Sequence, residues 1–385
     1  MAFDLAKERA ECHYFCGHLD QAQMEFSDLL DRARTPAEQA ELYTIQMVLC
    51  ITQSRQEEAI ELGFKGLALL GVVLPLHPTD ADVLADLHRI TLSLETHGIT
   101  AENFVENPAL IDRLAVFNAL DNSDQLNALK LLQYLAAAAV TTQILVYQVA
   151  ICRMVQISLA YGHSSYAAYA YVSYGTILSA SQRNILAGCA FGQLALLVGG
   201  RFHCLSGVTQ FSYWGLIAHW KHSFPLCQTN LKAAFRSCCE TGEFLYALYV
   251  QVVMGDVAIM GGVSLLDVAD QLQEFQRFSQ HRQYQVLQQD TRIKRLFIRS
   301  LQGLSPGVPQ DLTGLETNTT PESLDWDDLS LTELLHSAAS STTLSRCYIY
   351  KLQWLYHSGQ YGLAREVADL SETMVGEPLW YGDCD

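Results

Sequence analysis

The apolar residues of this chain recur at helical spacing, and short polar turns divide them into paired segments. In one such segment Phe26, Leu29 and Leu30 fall on a single helical face. Thr35 stands directly before Pro36, an order that favours a helix cap followed by the first helical residue. Strict alternation of apolar and polar residues is rare, and only 9 of 385 residues are prolines. The pattern predicts an all-α chain.

Several of the paired segments resemble one another. Ala22 and Ala59 stand 37 residues apart, each just after a turn and at the matching place of a second helix. Residues 358–364 repeat both the turn and the small residue. This arrangement is typical of tetratricopeptide repeats, whose period is about 34 residues, although the expected Trp and Tyr are mostly missing. We predict a right-handed α-solenoid of antiparallel helix hairpins, degenerate and tetratricopeptide-repeat-like (TPR-like); an irregular helical domain is the alternative.

The predicted array occupies residues 1–302, and further hairpins of the same array occupy residues 329–385. Between them, residues 303–328 contain three prolines and three glycines. Connections within a compact domain are rarely so long. This segment is therefore predicted to be a flexible loop or linker.

Local signals predict where several helices begin and end. Thr79 and Asp82 have the spacing of a capping box. Ser123 or Asp124 is placed to cap the helix that enters the middle of the chain. Gly199-Gly200 is expected to end a helix, because glycine is favoured just past a helix C-terminus.

The middle of the array, residues 131–218, is nearly free of charge. Its 88 residues contain Arg153, Arg183 and Arg201 and no acid, whereas 17% of the whole chain is charged. Burying an ion costs several kcal/mol, so such a stretch is either protein interior or membrane. Residues 131–152 are long enough to span a bilayer, but their glutamines and threonines oppose insertion, and no cluster of Lys or Arg marks a cytoplasmic side. We predict a soluble interior without membrane insertion.

Overall charge and cysteine content narrow the class of protein. The formal charge is −17 and no basic patch is present, so binding of nucleic acid through its phosphates is not expected. The N-terminus lacks the basic and apolar regions of a secretory signal. The 11 cysteines are scattered through apolar segments, which favours buried, reduced thiols. These features predict a cytoplasmic protein.

Major cofactor-binding and catalytic motifs are missing from the sequence. It has no phosphate loop of the form Gly-x4-Gly-Lys-Ser/Thr, no Gly-x-Gly-x-x-Gly and no His-Glu-x-x-His. Residues 12–18 hold two cysteines and two histidines, but Cys12 and Cys16 are also one face of a helix, and zinc ligands usually come from separated segments. We predict no catalytic residue, no cofactor and no metal site on this chain.

Certain packing motifs resemble a known family. The segments Cys-His-Tyr-Phe-Cys-Gly-His-Leu-Asp-Gln-Ala at 12–22 and Leu-Leu-Gly-Val-Val-Leu-Pro at 69–75 are similar to the helical region of bacterial multi-sensor signalling kinases. Members of this family join a serine/threonine kinase domain, a P-loop ATPase, a helical repeat region, GAF or PAS sensors and a histidine kinase. Tyr-Gly-His-Ser at 161–164 resembles a family element that has Asn in place of His163.

The resemblance implies a role in signalling without assigning a site, since the family's ATP-binding and phosphoacceptor residues lie in other domains. It implies a non-catalytic scaffold or regulatory region that mediates protein–protein or interdomain contacts. Its parent protein would carry the serine/threonine kinase, histidine kinase and ATPase domains, and the chain would be a part or a detached paralogue of that architecture. The implied partners are other proteins or the flanking kinase, ATPase and GAF domains, contacted by the charged hairpins around the centre.

A second hypothesis places a small-molecule effector site in the uncharged centre and makes the chain a sensor domain. Related helical regions in P-loop transcriptional regulators suggest this by analogy. Polar and aromatic side chains of the stretch would line such a pocket. The candidates are Gln143, Gln148, His163, Tyr171, Tyr174 and His203.

Overall fold

A computed structural model describes residues 2–16, 18–53, 55–140, 142–202, 206–279, 285–303 and 341–374 of the chain. Within these residues every regular element is a helix, and a single β-bridge joins Ala119 to His163. The predicted all-α fold is confirmed. Contacts between residues divide the chain into two compact units, Met1–Tyr213 and Trp214–Asp385. The superhelical hand and the domain boundaries drawn from the sequence stay predictions.

The first unit contains a series of packed helices joined by short turns. They are α1 (Ala2–Phe15), α2 (Leu19–Arg32), α3 (Pro36–Thr52), α4 (Gln56–Leu69), α5 (Asp80–Thr96), α6 (Ala101–Glu106), α7 (Pro108–Ala115), α8 (Ser123–Ala139), α9 (Ile144–Tyr161), α10 (Ser165–Ala180) and α11 (Ile185–Phe202). Helix α12 (Ser206–Leu216) contains the division between the units. Neighbouring helices pack as the hairpins α1–α2, α3–α4, α8–α9 and α10–α11.

The first hairpins are held together at the small residues that the repeat pattern singles out. Ala22 of α2 and Ala59 of α4 are fully buried. Ala22 packs with Ala10 of α1 and Phe26 of α2 in one apolar cluster. A larger side chain at these places would push the helices apart, because protein interiors are close-packed. The predicted role of the small residue is confirmed in both hairpins.

Most of the predicted helix starts are confirmed. The Thr35 hydroxyl accepts a hydrogen bond from the Glu38 amide at 3.2 Å, and the Thr79 amide donates to the Asp82 carboxylate at 2.8 Å. The prediction for α8 was wrong by one residue, since its cap is Asn122, whose side chain accepts from the Gln125 amide at 3.0 Å. Asn, Ser and Asp cap helices about equally well, so three such residues in a row left the choice open.

The predicted helix end at Gly199-Gly200 was wrong, because both glycines lie inside α11. A glycine inside a helix costs about 1 kcal/mol relative to alanine. Leu194, Ala195 and Val198 of the same helix are fully buried, and the burial of this face outweighs that cost.

Helices α8 to α11 form the uncharged centre of the first unit. Helix α11 passes so close to α10 that a Cβ on Gly188 would lie 2.6 Å from the Gly175 carbonyl oxygen, so the approach requires glycine. Helices α9 and α11 are long and apolar enough to cross a membrane, but 67% and 56% of their residues are buried within the protein. Core helices share this length and composition, and burial against protein is what distinguishes them.

The second unit is described in two stretches. Its helices are a 3-10 turn (Ala218–Trp220), α13 (Phe224–Glu240), α14 (Phe244–Met260), α15 (Leu265–Ser279), α16 (Gln285–Leu301), α17 (Ser341–His357) and α18 (Tyr361–Met374). Helices α13–α14, α15–α16 and α17–α18 pack as hairpins, and α16 also packs against both α14 and α17. The predicted loop at 303–328 lies outside the described residues except for Gly303, and the predicted hairpins at 329–385 are described over residues 341–374.

Candidate functional site

His163 and Tyr171 form a buried polar pair in the uncharged centre of the first unit. The His163 Nε2 and the Tyr171 hydroxyl are 2.9 Å apart, and both side chains are 0% exposed. The imidazole stacks on Phe117 at a ring distance of 5.6 Å and meets the Tyr171 ring edge-on at 5.4 Å. Two neutral groups thus share a hydrogen bond inside an aromatic cluster, which avoids burying a charge.

The backbone places His163 through a close approach of two loops. The His163 amide donates to the Asn118 carbonyl at 2.8 Å, and the Leu120 amide donates to the His163 carbonyl at 2.8 Å. Gly162 has a φ of +110°, and a Cβ there would lie 2.4 Å from the Asn118 carbonyl oxygen. Only glycine fits this position, because both the left-handed backbone and the contact exclude a side chain.

The surroundings of His163 keep its ring neutral. Burial, and to a smaller extent the positive charge of Arg201, lower the pKa of His163 to about 4, against the opposing influence of the nearby Ala115 backbone carbonyl. The ring Nδ1 is buried and has no hydrogen-bond partner among the described residues. His163 is therefore an uncharged packing residue at neutral pH with one unused polar atom.

The remaining candidates from the uncharged centre do not gather around His163 as one set. Tyr174 joins the same cluster through Phe191, which it meets edge-on at 4.8 Å. The Gln148 amide instead donates to the Ser181 hydroxyl at 3.1 Å. Gln143 is the half-buried residue before α9, without a side-chain capping bond. His203 lies outside the described residues. Effector binding by these residues stays a prediction.

A cleft opens in the first unit between α2, α3 and α4. Its volume is about 250 Å³. Its walls follow helical periodicity, because side chains three or four residues apart share a face. The lining residues are Ser27, Leu30, Tyr43, Gln46, Leu49, Cys50, Glu58, Leu62 and Lys65.

Gln46 is the distinctive group of this cleft. Its side chain is only 7% exposed, yet its Oε1 makes no hydrogen bond within the described part of the chain. A buried acceptor without a donor costs about 1–3 kcal/mol. Such atoms are rare in folded proteins, and a bound water or a further group would supply the missing donor.

The two ends of the cleft carry opposite charges. At one end Glu58 forms an ion pair with Arg55, and the pKa of the Cys50 thiol is raised by burial and by the nearby Glu58 carboxylate. At the other end Lys65 is exposed and forms no ion pair with any described residue. Glu58 and Lys65 are seven residues apart, or about 10 Å along the helix.

A different kind of polar site lies inside the second unit. Lys294 of α16 is 1% exposed, and its Nζ lies 2.9 Å from the Asp256 carboxylate and 2.6 Å from the Asp290 carboxylate. The same Nζ donates to the Val252 carbonyl at 2.6 Å. Arg346 of α17 donates to Asp290 at 2.7 Å. Together, Asp256, Asp290, Lys294 and Arg346 form an ion network that joins α14, α16 and α17.

Charge balance within the ion network is close to complete. Burial alone would raise the pKa of Asp290, but the charges of Lys294 and Arg346 and their hydrogen bonds hold it below its usual value. The Tyr350 hydroxyl donates to Asp256 at 2.5 Å. Both carboxylates are thus paired and hydrogen-bonded, so the network is a structural cross-link between three helices and not a site with a group left free for chemistry.

Two further observations concern metal binding and catalysis. No group of three or more potential metal ligands is placed to hold a metal ion within the described ranges. The letters Gly-x-Ser-x-Gly occur at 303–307. That hydrolase motif needs a strand before it, whereas α16 precedes Gly303, and the residues after Gly303 lie outside the described chain.

Comparisons with known proteins show a structural likeness and no sequence likeness. No family model and no curated protein sequence match this chain. Among solved structures it is similar to the signal transduction ATPase with numerous domains (STAND) protein with a tetratricopeptide repeat sensor from Pyrococcus horikoshii, at 11% identity and a TM-score of 0.42. The match covers 94% of this chain and 44% of that chain. The chain thus spans less than half of that protein, and a likeness at this level carries no argument about activity.

Proposed function

We propose that this chain is a non-catalytic helical scaffold that binds a protein partner through its first two hairpins. The observation that carries the proposal is the cleft between α2, α3 and α4, where the buried Gln46 carbonyl oxygen lacks a donor. The cleft is where a partner's side chain would complete the hydrogen bonding.

The wider setting of the proposal is a cytoplasmic signalling protein. The family resemblance of residues 12–22 and 69–75 supports a regulatory helical region whose parent carries kinase and ATPase domains. In that setting the partner is a flanking domain or a separate protein, and the chain itself supplies no catalytic group. The burial of α9 and α11 within the protein supports a role without membrane insertion.

A second candidate function is the sensing of a small effector in the uncharged centre. One observation favours it, namely the buried His163 Nδ1 that lacks a hydrogen-bond partner within the described residues. A small polar molecule reaching this atom would satisfy it. This function would act through the aromatic cluster and leave the first hairpins unaffected.

Charge reversal on the first hairpins tests the scaffold proposal. Asp28 and Asp31 are exposed on α2, whereas Asp270 and Glu274 are exposed on α15. We expect Asp28→Lys/Asp31→Lys to remove a captured partner protein from affinity purifications, quantified by mass spectrometry, while the matched Asp270→Lys/Glu274→Lys protein retains it. Circular dichroism would verify that both proteins fold.

The proposal fails if no captured protein depends on the α2 charges. It also fails if the purified chain hydrolyses ATP or phosphorylates itself at a rate that persists through successive purification steps. The first result would favour the central stretch as the binding surface, and the second would indicate a catalytic function.

A further inference from the structure

We infer that the cleft between α2, α3 and α4 binds a basic side chain, arginine or lysine, inserted by the partner protein. The inserted side chain donates its N–H groups to the Gln46 Oε1. This inference rests on the scaffold proposal and deepens it by naming the chemistry of the partner.

The size of the cleft favours one side chain over a cofactor. Pockets for drug-sized ligands span about 300–1,000 Å³, and this cleft holds about 250 Å³. It is bounded by three helices of two adjacent hairpins. A partner surface resting on these hairpins could place a single long side chain into it.

The lining selects a side chain that only donates hydrogen bonds. The Gln46 Oε1 is an acceptor with no donor, and the Glu58 carboxylate adds further acceptor capacity. Lys and Arg carry donors and no acceptors, whereas Asn, Gln, Ser and Thr bring acceptors that would need partners of their own. Leu30, Leu49 and Leu62 line the cleft as well, and the aliphatic stem of a basic residue packs on such a wall.

The position of the charges determines which way the inserted side chain points. Gln46 lies about one helical turn from Cys50, whose thiol is close to the Glu58 carboxylate. In the other direction it lies about one turn from Tyr43, which is close to Gly66 and so to the Lys65 end of the cleft. A cationic head therefore lies between Gln46 and Glu58, away from the Lys65 ammonium. Lys65 is left to face backbone carbonyls or acids of the partner.

The surrounding hairpins add long-range attraction for a basic partner. Residues 1–70 contain twelve acids and six bases, and the whole chain carries a formal charge of −17. A surplus of one sign steers oppositely charged partners and raises the rate of association, with the effect falling as salt rises. An acidic side chain would instead meet repulsion on the approach and an unsatisfied acceptor at Gln46.

Short peptides test the inference on the full 385-residue chain. The probes are Ac-Gly-Gly-Xaa-Gly-Gly-NH2 with Xaa as arginine, lysine, norleucine or glutamate, titrated while the side-chain amide signal of Gln46 is followed by NMR. We expect saturable shifts with the arginine and lysine peptides and Kd values at least about ten-fold lower than for the glutamate peptide. Titration calorimetry gives the Kd for the variants, because Gln46→Met removes the amide signal. We expect Gln46→Met to weaken binding of the arginine peptide about five- to ten-fold through loss of one charge-assisted hydrogen bond.

The control substitution is Gln39→Met, which makes the same change on the same helix at a residue that does not line the cleft. It should leave the Kd of the arginine peptide within about two-fold. The inference is overturned if the glutamate or norleucine peptide binds as tightly as the arginine peptide, or if Gln46→Met and Gln39→Met have equal effects.

Failure of this inference would be separable from failure of the scaffold proposal. If a captured protein depends on Asp28 and Asp31 but basic peptides do not shift the Gln46 signal, the hairpins bind a partner without an inserted basic residue. If both results are negative, the first hairpins are not the binding surface.

Discussion

The centre of the first unit and the ion network of the second unit bury polar groups in opposite ways. In that centre, His163 and Tyr171 share one hydrogen bond between neutral side chains, and the positive charge of Arg201 helps to lower the pKa of His163. In the second, Lys294 is buried between Asp256 and Asp290 with its charge intact. The cluster around His163 thus buries neutral groups, whereas the second unit balances buried charges against each other.

The difference predicts which kinds of substitution each of the two sites tolerates. A neutral buried pair depends on shape, because rings and backbone must remain in contact around it. The stability of a buried ion network requires all of its members, because removing one leaves an uncompensated charge. We therefore expect the first unit to be sensitive to steric changes and to protonation, and the second to the loss of any single charge.

The largest expected effect is from the substitution Lys294→Met. It leaves the Asp256 and Asp290 carboxylates buried without their common cation, and breaking a buried ion pair in this way costs about 3–5 kcal/mol. The measurement is the free energy of unfolding of the second unit by urea denaturation, followed by a probe in α16.

The comparison protein carries Lys294→Met together with Asp256→Asn and Asp290→Asn. It should recover at least half of the loss, since replacing all the buried charges removes the imbalance and the partly exposed Arg346 can turn to water. Equal losses in the single and triple variants would contradict the role given to charge balance.

The substitution Gly162→Ala has the next largest expected effect. It tests whether the first unit is sensitive to steric change. The substitution places a Cβ at φ +110° and 2.4 Å from the Asn118 carbonyl oxygen, so it should destabilise the first unit by about 2–3 kcal/mol. Gly242→Ala in the second unit is the matched control, because Gly242 has a φ of +77° with open space around it. It should cost only the backbone contribution, about 1–2 kcal/mol.

Calorimetry of both alanine variants gives the measurement. If Gly162→Ala is no worse than Gly242→Ala, the loop at Asn118 yields easily and the first unit does not depend on this contact.

Helix periodicity and turn residues predicted most of the fold, because both are local. The capping signals at Thr35 and Thr79 and the small residues Ala22 and Ala59 were visible in single segments of sequence. The end assigned at Gly199-Gly200 was wrong, since burial of the α11 face against neighbouring helices is a tertiary effect that the local glycine signal does not contain.

The candidate sites were harder to predict because they join distant segments. Gln46 looks like any helical glutamine, and only the packing of three helices leaves its oxygen without a donor. For the ion network one signal was available: Asp256 is the only charged residue of the apolar helix α14. Its partners Lys294 and Arg346 lie 38 and 90 residues further along the chain, and nothing local links them to it.

Protonation lowers the stability of the two units in different pH ranges. The folded pKa of His163 is lowered to about 4 from 6.5, so the unfolded chain binds the extra proton first and stability is lost as pH falls from 6.5 towards 4. The folded pKa of Asp290 is also lowered, but the unfolded reference for Asp is about 4, so its contribution is lost only below that value. Of these two groups, only His163 changes its contribution to stability between pH 7 and pH 5.

Hydrogen exchange at pH 7 and pH 5 tests this contrast most directly, after correction for the intrinsic pH dependence of exchange. For α9 and α10 the free energy of opening should fall by about 2 kcal/mol, because His163 must gain its proton in the opened state. The His163→Asn protein should lose this pH dependence in α9 and α10, while the response of α16 stays the same in both proteins. If His163→Asn leaves the pH dependence of α9 and α10 unchanged, the neutral histidine is not what holds the centre of the first unit, and the central contrast between the units is wrong.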